Sequence, residues 1–257
     1  MAKTHIFDLT GKVCIVTGGS GYLGSACIDA MKDLGATMVN ADIRPNPEGK
    51  EDLFYTCNMR EKDAFQKLFK TIFDTYGKID AVVNCAIYGP APSSWKSKFI
   101  EYMSDENWEE YVDGTLHSVF RSVRDCVPYL KQTHGSIVNF CSMYGLVAPD
   151  FGIYGDNPQR NPACYGASKA GVLQLSKYAA SDLAKYNIRV NCVSPGPFPK
   201  VSNQSDPAFN AQLASKTMLK RFGQNTEIAG AVALLVSDAS SFMTGSNICV
   251  DGGWTAW

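Results

Sequence analysis

No stretch of this 257-residue chain approaches the ~20 consecutive apolar residues that a membrane-spanning helix needs. The opening dozen residues carry Lys3, His5, Asp8 and Lys12 and lack the apolar core of a secretory signal, so a cytoplasmic location is expected. Nine cysteines are scattered without a Cys-x-x-Cys pair, and several, such as Cys14, Cys141, Cys192 and Cys249, lie within apolar runs. That argues against a disulfide framework and a zinc site, and no metal is expected. Excess charge is lacking too: 24 Lys and Arg against 25 Asp and Glu leave a net −1, with no basic field for nucleic acid. Internal repeats and low-complexity tracts are also missing, and the length suits one domain, 1–257, with a sizeable core.

What is present is alternation. Strand-like runs fall near 12–17, 37–42, 53–57, 79–84, 136–141, 188–193 and 246–250, and helix-like runs near 22–34, 61–76, 107–132, 164–186 and 226–237. This order predicts an α/β fold: one doubly wound parallel sheet of about seven strands, with helices on both faces. Two connections, 143–163 and 197–225, exceed the ~2–6 residues usual in such folds and are expected to wall a substrate.

Chemistry concentrates in three places. Tyr165 and Lys169 form the only Tyr-x-x-x-Lys among twelve tyrosines, and helical spacing puts them on one face. A cation near a phenol favours the phenolate, which makes the pair a candidate base for an alcohol or carbonyl oxygen. The run Val13–Thr17 opens into Gly18, Gly21 and Gly24, where a pyrophosphate can approach the amides of a helix N-terminus. Asp42 follows eighteen residues after Gly24, at the end of a second strand-like run, and can accept hydrogen bonds from an adenosine ribose. Ser142 ends the apolar run begun at Gly135 and so points into the crevice where doubly wound sheets bind ligands.

Thr17-Gly18, Asn84-Cys-Ala86, Ser142, Tyr165, Lys169, Asn187-Ile-Arg-Val-Asn-Cys-Val-Ser-Pro-Gly196 and Asp251-Gly-Gly253, in that order, resemble the single-domain branch of the short-chain dehydrogenase/reductase family over nearly the whole chain. The resemblance implies a Rossmann-type fold and hydride transfer between a nicotinamide and a carbinol or carbonyl carbon. Tyr165 is then the general acid/base, Ser142 binds the same oxygen, and Lys169 lowers the Tyr165 pKa and holds the nicotinamide ribose, with these charges, the positive ring of the oxidised cofactor included, expected to outweigh burial. The cofactor contacts it implies are Gly18, Ser20, Gly21, Tyr22, Leu23, Asp42, Asn58, Met59, Asn84, Ala86, Tyr165, Lys169, Pro195, Gly196 and Phe198.

The chain departs from the family pattern at Tyr22 in the glycine loop, at Ile87 after Asn84-Cys-Ala86, and at Asn58-Met59, where an acidic residue is usual. Thr115 replaces the asparagine that holds a proton-relay water, and its hydroxyl is the candidate substitute; His117 is expected to face solvent. Asp42 predicts NAD over NADP by at least tenfold, or ~1.4 kcal/mol, with Arg44 the one residue able to favour a phosphate.

The 23 residues from Ser142 to Tyr165 are some ten more than is usual in the family, and with the ending Asp251–Trp257 they resemble members acting on sugars and sugar acids. Candidate substrate residues are Ser142, Tyr144, Tyr154, Arg160 and Tyr165, with Asp150, Asp156, Asn157, Gln159, Asn161 and Lys200 as further polar contacts. A 3-oxoacyl thioester or a hydroxysteroid is the alternative substrate, lined by Trp95, Phe99, Tyr144, Phe151, Tyr154 and Phe198. A catalytically silent dinucleotide sensor or scaffold is the alternative class. The partners expected are a small-molecule substrate and further copies of the chain, as a homotetramer formed through helices 107–132 and 164–186 and the C-terminal strand region.

Overall fold

The computed structural model describes residues 5–90, 99–154, 161–200 and 206–257. Seven strands, β1 Val13–Thr17, β2 Thr37–Asp42, β3 Leu53–Thr56, β4 Ala81–Asn84, β5 Ser136–Phe140, β6 Arg189–Pro195 and β7 Asn247–Val250, form one sheet in the order β3-β2-β1-β4-β5-β6-β7. Every pairing is parallel. β1, β4 and β5 are buried along their whole length, as strands covered on both faces must be.

Among the described residues there are seven α-helices: α1 Tyr22–Asp33, α2 Ala64–Tyr76, α3 Asp105–Val112, α4 Ser118–Thr133, α5 Ala163–Leu183, α6 Pro207–Ser215 and α7 Asn225–Val236. On one face Phe65, Leu68, Phe69 and Ile72 of α2 pack with Val119, Val123 and Leu130 of α4 and Val172 of α5. On the other, Ala26, Cys27, Ile28 and Met31 of α1 meet Ile228, Val232 and Leu235 of α7. Burial of each large side chain stabilises the fold by ~1.5–3 kcal/mol. The chain leaves β1 toward β2 on one side and returns to β4 on the other, which opens a crevice at the C-terminal ends of β1 and β4.

The expected doubly wound sheet is thus present, with two departures in the helices. The single helix expected over 107–132 is interrupted by a π-helical turn, Asp113–His117, between α3 and α4. Such turns occur often at functional sites. The connection 197–225, expected to be loop, contains α6; Asp206 caps it by accepting the Phe209 N–H at 3.0 Å, with Pro207 in the first turn. Asp206-Pro207 is a helix-start signal that a reading by apolar periodicity passes over. The connection 143–163 holds 3₁₀ turns at Met143–Gly145 and Phe151–Ile153.

Candidate active site

The crevice begins at the glycine loop. Gly18 has φ +70°, and a Cβ there would lie 2.8 Å from Ala86 Cα, so only glycine lets the β1 and β4 loops approach this closely. A Cβ on Gly24 would lie 2.2 Å from the Gly18 carbonyl oxygen, so α1 packs against the loop backbone with nothing between. Gly21 caps α1 with extended dihedrals, which leaves the helix N-terminus facing the crevice.

A cleft of about 580 Å³ runs from this loop to Tyr165. Its walls include Gly18, Gly21, Tyr22, Leu23, Asp42, Asn58, Met59, Ala86, Ser142, Tyr165, Lys169, Pro195, Gly196 and Phe198, which brings most of the expected cofactor residues together. Lys200 also lines this cleft. The Asp42 carboxylate accepts one backbone N–H on each oxygen, from Ser20 at 3.1 Å and from Ile43 at 2.7 Å. Each oxygen keeps a lone pair for a ribose hydroxyl. The glycine cradle, the open helix terminus and this carboxylate together fit an adenine dinucleotide.

Two expected cofactor residues are not cleft walls. Ser20 turns its hydroxyl to the Arg44 carbonyl at 2.6 Å, and only its amide serves the site, by holding Asp42. Asn84 points its side chain into the protein, where it donates to Asn139 Oδ1 at 2.8 Å and accepts from Ser122 at 2.6 Å, joining β4, β5 and α4. Unexpected walls are Arg60 and Tyr88. The Arg60 guanidinium lies 4.3 Å from the Tyr88 ring centre and pairs with Glu110 at 2.5 Å. Tyr88 donates its hydroxyl to Asp113, and burial together with that carboxylate pushes its pKa up to about 12. Arg60 directly follows Asn58-Met59 and Tyr88 directly follows Asn84-Cys-Ala-Ile87, so proximity to those motifs was the available signal.

At the far end of the cleft, β5 delivers Ser142 while the first turns of α5 deliver Tyr165 and Lys169. The Ser142 hydroxyl accepts the Tyr144 N–H at 3.1 Å and lies beside the Tyr165 phenol, where it favours the phenolate. Lys169 is buried, donates to the Phe140 carbonyl at 2.6 Å, and has its ammonium 5.9 Å from the Tyr165 ring centre. Among the protein's own groups burial dominates; the expected balance also counts the positive ring of the oxidised cofactor. Burial raises the Tyr165 pKa, opposed by the Ser142 hydrogen bond, and burial lowers that of Lys169, opposed by Cys141, Cys85 and Cys192.

Thr115 sits on the π turn, fully buried, with its hydroxyl unpartnered in the protein. In the same turn the Gly114 carbonyl accepts the Tyr88 N–H at 3.3 Å. His117 faces outward beside Asp113, 3.3 Å away, as expected.

A second pocket of about 340 Å³ adjoins Ser142 and Tyr165. Tyr144, Tyr154, Asn161, Phe198, Phe209, Asn210 and Leu213 line it. The Tyr144 and Tyr154 hydroxyls are 2.7 Å apart, and both rings are buried, Tyr144 against Trp254 at 6.3 Å and Tyr154 against Phe209 at 5.4 Å. Asp150 is not a pocket residue: it caps the turn at Gly152 at 2.9 Å and pairs with Lys216 at 2.5 Å, tying the 143–154 segment to the end of α6. Phe99 and Phe151 do not line this pocket. Trp95, Asp156, Asn157, Gln159 and Arg160 lie outside the described residues.

A family described as enoyl-(acyl carrier protein) reductase matches residues 21–255. The 3-oxoacyl-(acyl-carrier-protein) reductase FabG of Thermotoga maritima is 35% identical, over 95% of this chain and 98% of that protein. A short-chain dehydrogenase of Leptospira borgpetersenii, solved with bound NAD+, superposes with a TM-score of 0.86 at 28% identity, covering 99% of this chain and 97% of that one. The aldohexose dehydrogenase of Thermoplasma acidophilum gives 0.84 at 28% identity, with 98% and 97% covered. Among the described residues no helix is long and apolar enough to cross a membrane, and no cluster of His, Cys, Asp and Glu suits a metal ion.

Proposed function

The chain belongs to the short-chain dehydrogenase/reductase family, oxidoreductases acting on CH–OH donors with a nicotinamide dinucleotide, and from that premise we propose that it interconverts a secondary alcohol and a ketone on a sugar, sugar acid or polyol, with NAD. When bound, the nicotinamide supplies the hydride acceptor or donor. Gly18, Gly21 and the N-terminus of α1 hold the pyrophosphate, and Asp42 takes the adenosine ribose. Tyr165 removes the alcohol proton in oxidation and returns it in reduction. Ser142, beside that phenol in the cleft wall, donates to the reacting oxygen as its charge develops. Lys169 adds positive charge behind the phenol and reaches the nicotinamide ribose. Thr115, enclosed with a free hydroxyl, is the group available to hold a relay water.

The substrate reading rests on one observation: the second pocket, of about 340 Å³, is rich in hydroxyl and amide groups, from Ser142, Tyr144, Tyr154, Asn161 and Asn210. Trp254 and Phe209 back its wall. Such a site suits a compact polyhydroxylated ligand better than an extended acyl chain. The likeness to the aldohexose dehydrogenase agrees. Reduction of a 3-oxoacyl thioester is the second reading, favoured by the 35% identity to the Thermotoga maritima reductase. We further propose a homotetramer formed through 107–132, 164–186 and the C-terminal strand region.

The test is a panel of aldoses, sugar acids, polyols, steroids and acetoacetyl thioesters with both dinucleotides, followed at the reduced-nicotinamide absorbance. The expected result is turnover of a sugar-class compound with NAD at least tenfold better in kcat/KM than any thioester. A thioester as the best substrate overturns the substrate reading.

A further inference from the structure

Beneath the glycine loop lies a buried polar cluster that the proposed chemistry does not use. Asn40, fully buried in β2, occupies a strand whose other enclosed members, Met38, Val39 and Ala41, are apolar. Its amide nitrogen donates to Ser20 Oγ at 2.9 Å and to Glu51 Oε1 at 3.0 Å. Its own Oδ1 and Glu51 Oε2 are buried without a hydrogen-bond partner. Unpaired buried acceptors carry a desolvation penalty, so this cluster is unfavourable unless it does something else. Gly19 is shaped around it: a Cβ there would lie 2.5 Å from Asn40 Oδ1.

The cluster leads to the specificity carboxylate. Ser20, which receives the Asn40 amide, donates its hydroxyl to the Arg44 carbonyl at 2.6 Å and its N–H to Asp42 Oδ2 at 3.1 Å. One serine therefore fixes both the carboxylate that favours a ribose hydroxyl and the backbone that carries Arg44, the exposed cation nearest to it in sequence. The far end of the same connection is fastened separately, by Asp52, which accepts the Met38 N–H at 2.7 Å and pairs with Lys32.

We propose that Asn40 is a positioning residue for cofactor selectivity: without lining the dinucleotide cleft, it holds Ser20 and thereby aims Asp42 at the ribose and restrains Arg44 from a 2′-phosphate. This rests on the reading of Asp42 as an NAD determinant. Without the Asn40 amide, Ser20 can shift, one Asp42 oxygen loses its N–H, and the Arg44 backbone is released. NADH then binds more weakly, while NADPH binds as well or better.

Titration of NADH and NADPH by fluorescence tests this without any substrate. The unmodified protein is expected to bind NADH at least tenfold more tightly than NADPH, and Asn40→Ala to reduce that ratio below threefold by raising the NADH Kd. Ser20→Ala, a half-buried loop change that keeps the N–H to Asp42, should also reduce the ratio, and it decides the matter if Asn40→Ala does not fold. Glu51→Gln, which retains an acceptor for Asn40, should keep the ratio, and Glu51→Ala should lower it. A ratio retained at tenfold in Asn40→Ala, even with a lowered melting temperature, overturns the proposal as a purely structural effect. Collapse of the ratio in Asp42→Ala alongside that result leaves the Asp42 reading intact. Equal or tighter NADPH binding by the unmodified protein overturns both.

Discussion

The two ends of the cleft are built by opposite means. The dinucleotide end is made of backbone: Gly18 at positive φ, Gly24 beneath its carbonyl, and a carboxylate held by two N–H groups, all within residues 18–43. The substrate end is made of side chains brought from afar: Tyr144 and Tyr154 after β5, Phe209 on α6 and Trp254 near the C-terminus. A backbone site tolerates almost no change of shape but is indifferent to most side chains. A side-chain site is re-specified by exchanging one ring for another, so cofactor and substrate are separable properties of this fold.

The seam between the two ends offers the sharpest test. Tyr165→Phe should lower kcat at least a hundredfold while leaving the Kd for NADH within about twofold, because the phenol serves the proton alone. Retention of more than a tenth of kcat would show that another group moves the proton. The pH dependence has a definite sign. Burial raises the Tyr165 pKa, so the phenol holds its proton at neutral pH. Alcohol oxidation, which needs the base, should therefore speed up as pH rises, while ketone reduction should slow over the same range. pH profiles in the two directions that run in parallel would contradict this.

Gly24→Ala probes the backbone end. With its Cβ 2.2 Å from the Gly18 oxygen, the loop must move. We expect a stability loss of ~1–3 kcal/mol and at least a tenfold rise in the NADH Kd. An unchanged Kd would mean the loop is less constrained than its geometry implies.

Tyr154→Phe probes the side-chain end. It leaves the Tyr144 hydroxyl without its partner at 2.7 Å and should cost ~1 kcal/mol, about 2–4 °C in Tm. Substrate KM should change and NADH affinity should not. A change in both would merge two ends that the comparison keeps apart.

The smallest effect is expected at Glu227, which lies in neither wall. Its carboxylate pairs with Arg221 at 2.7 Å and accepts the Gln224 N–H at 2.8 Å as α7 begins, which holds its pKa down at about 2. A depressed carboxylate contributes stability that is complete above its ordinary value of ~4.3 and is lost as pH falls toward 2. Both partners are exposed, so Glu227→Ala should cost at most ~1 kcal/mol in thermal denaturation at pH 7 and nothing further below pH 2. A larger loss at pH 2 than at pH 7 would reverse the assigned sign.

Legibility followed the same division. The glycine loop, Asp42, Ser142, Tyr165 and Lys169 could be read because each is set by a neighbour a few residues away or by the end of a strand whose apolar run is plain. Ser20 and Asn84 lie within the cofactor motifs, and their side chains turn toward Arg44 and Asn139, partners 24 and 55 residues away. Tyr88 and the π turn at Asp113–His117 are not legible in the sequence, because a network among Tyr88, Asp113 and Arg121 has no sequence period. Asp150, read as a ligand contact, instead meets Lys216 across the fold.

By itself the sequence determined the doubly wound sheet, the dinucleotide loop and the Ser-Tyr-Lys set, since strand burial, glycine geometry and helical spacing are local consequences of residue type. Only the tertiary structure decided which way Ser20, Asn84 and Asp150 point, that Tyr165 and Lys169 are buried together, and that the Tyr144 and Tyr154 hydroxyls meet beside Ser142 and Tyr165. Those outcomes depend on desolvation and on contacts between residues distant in the chain, which exist only once the chain has closed around them.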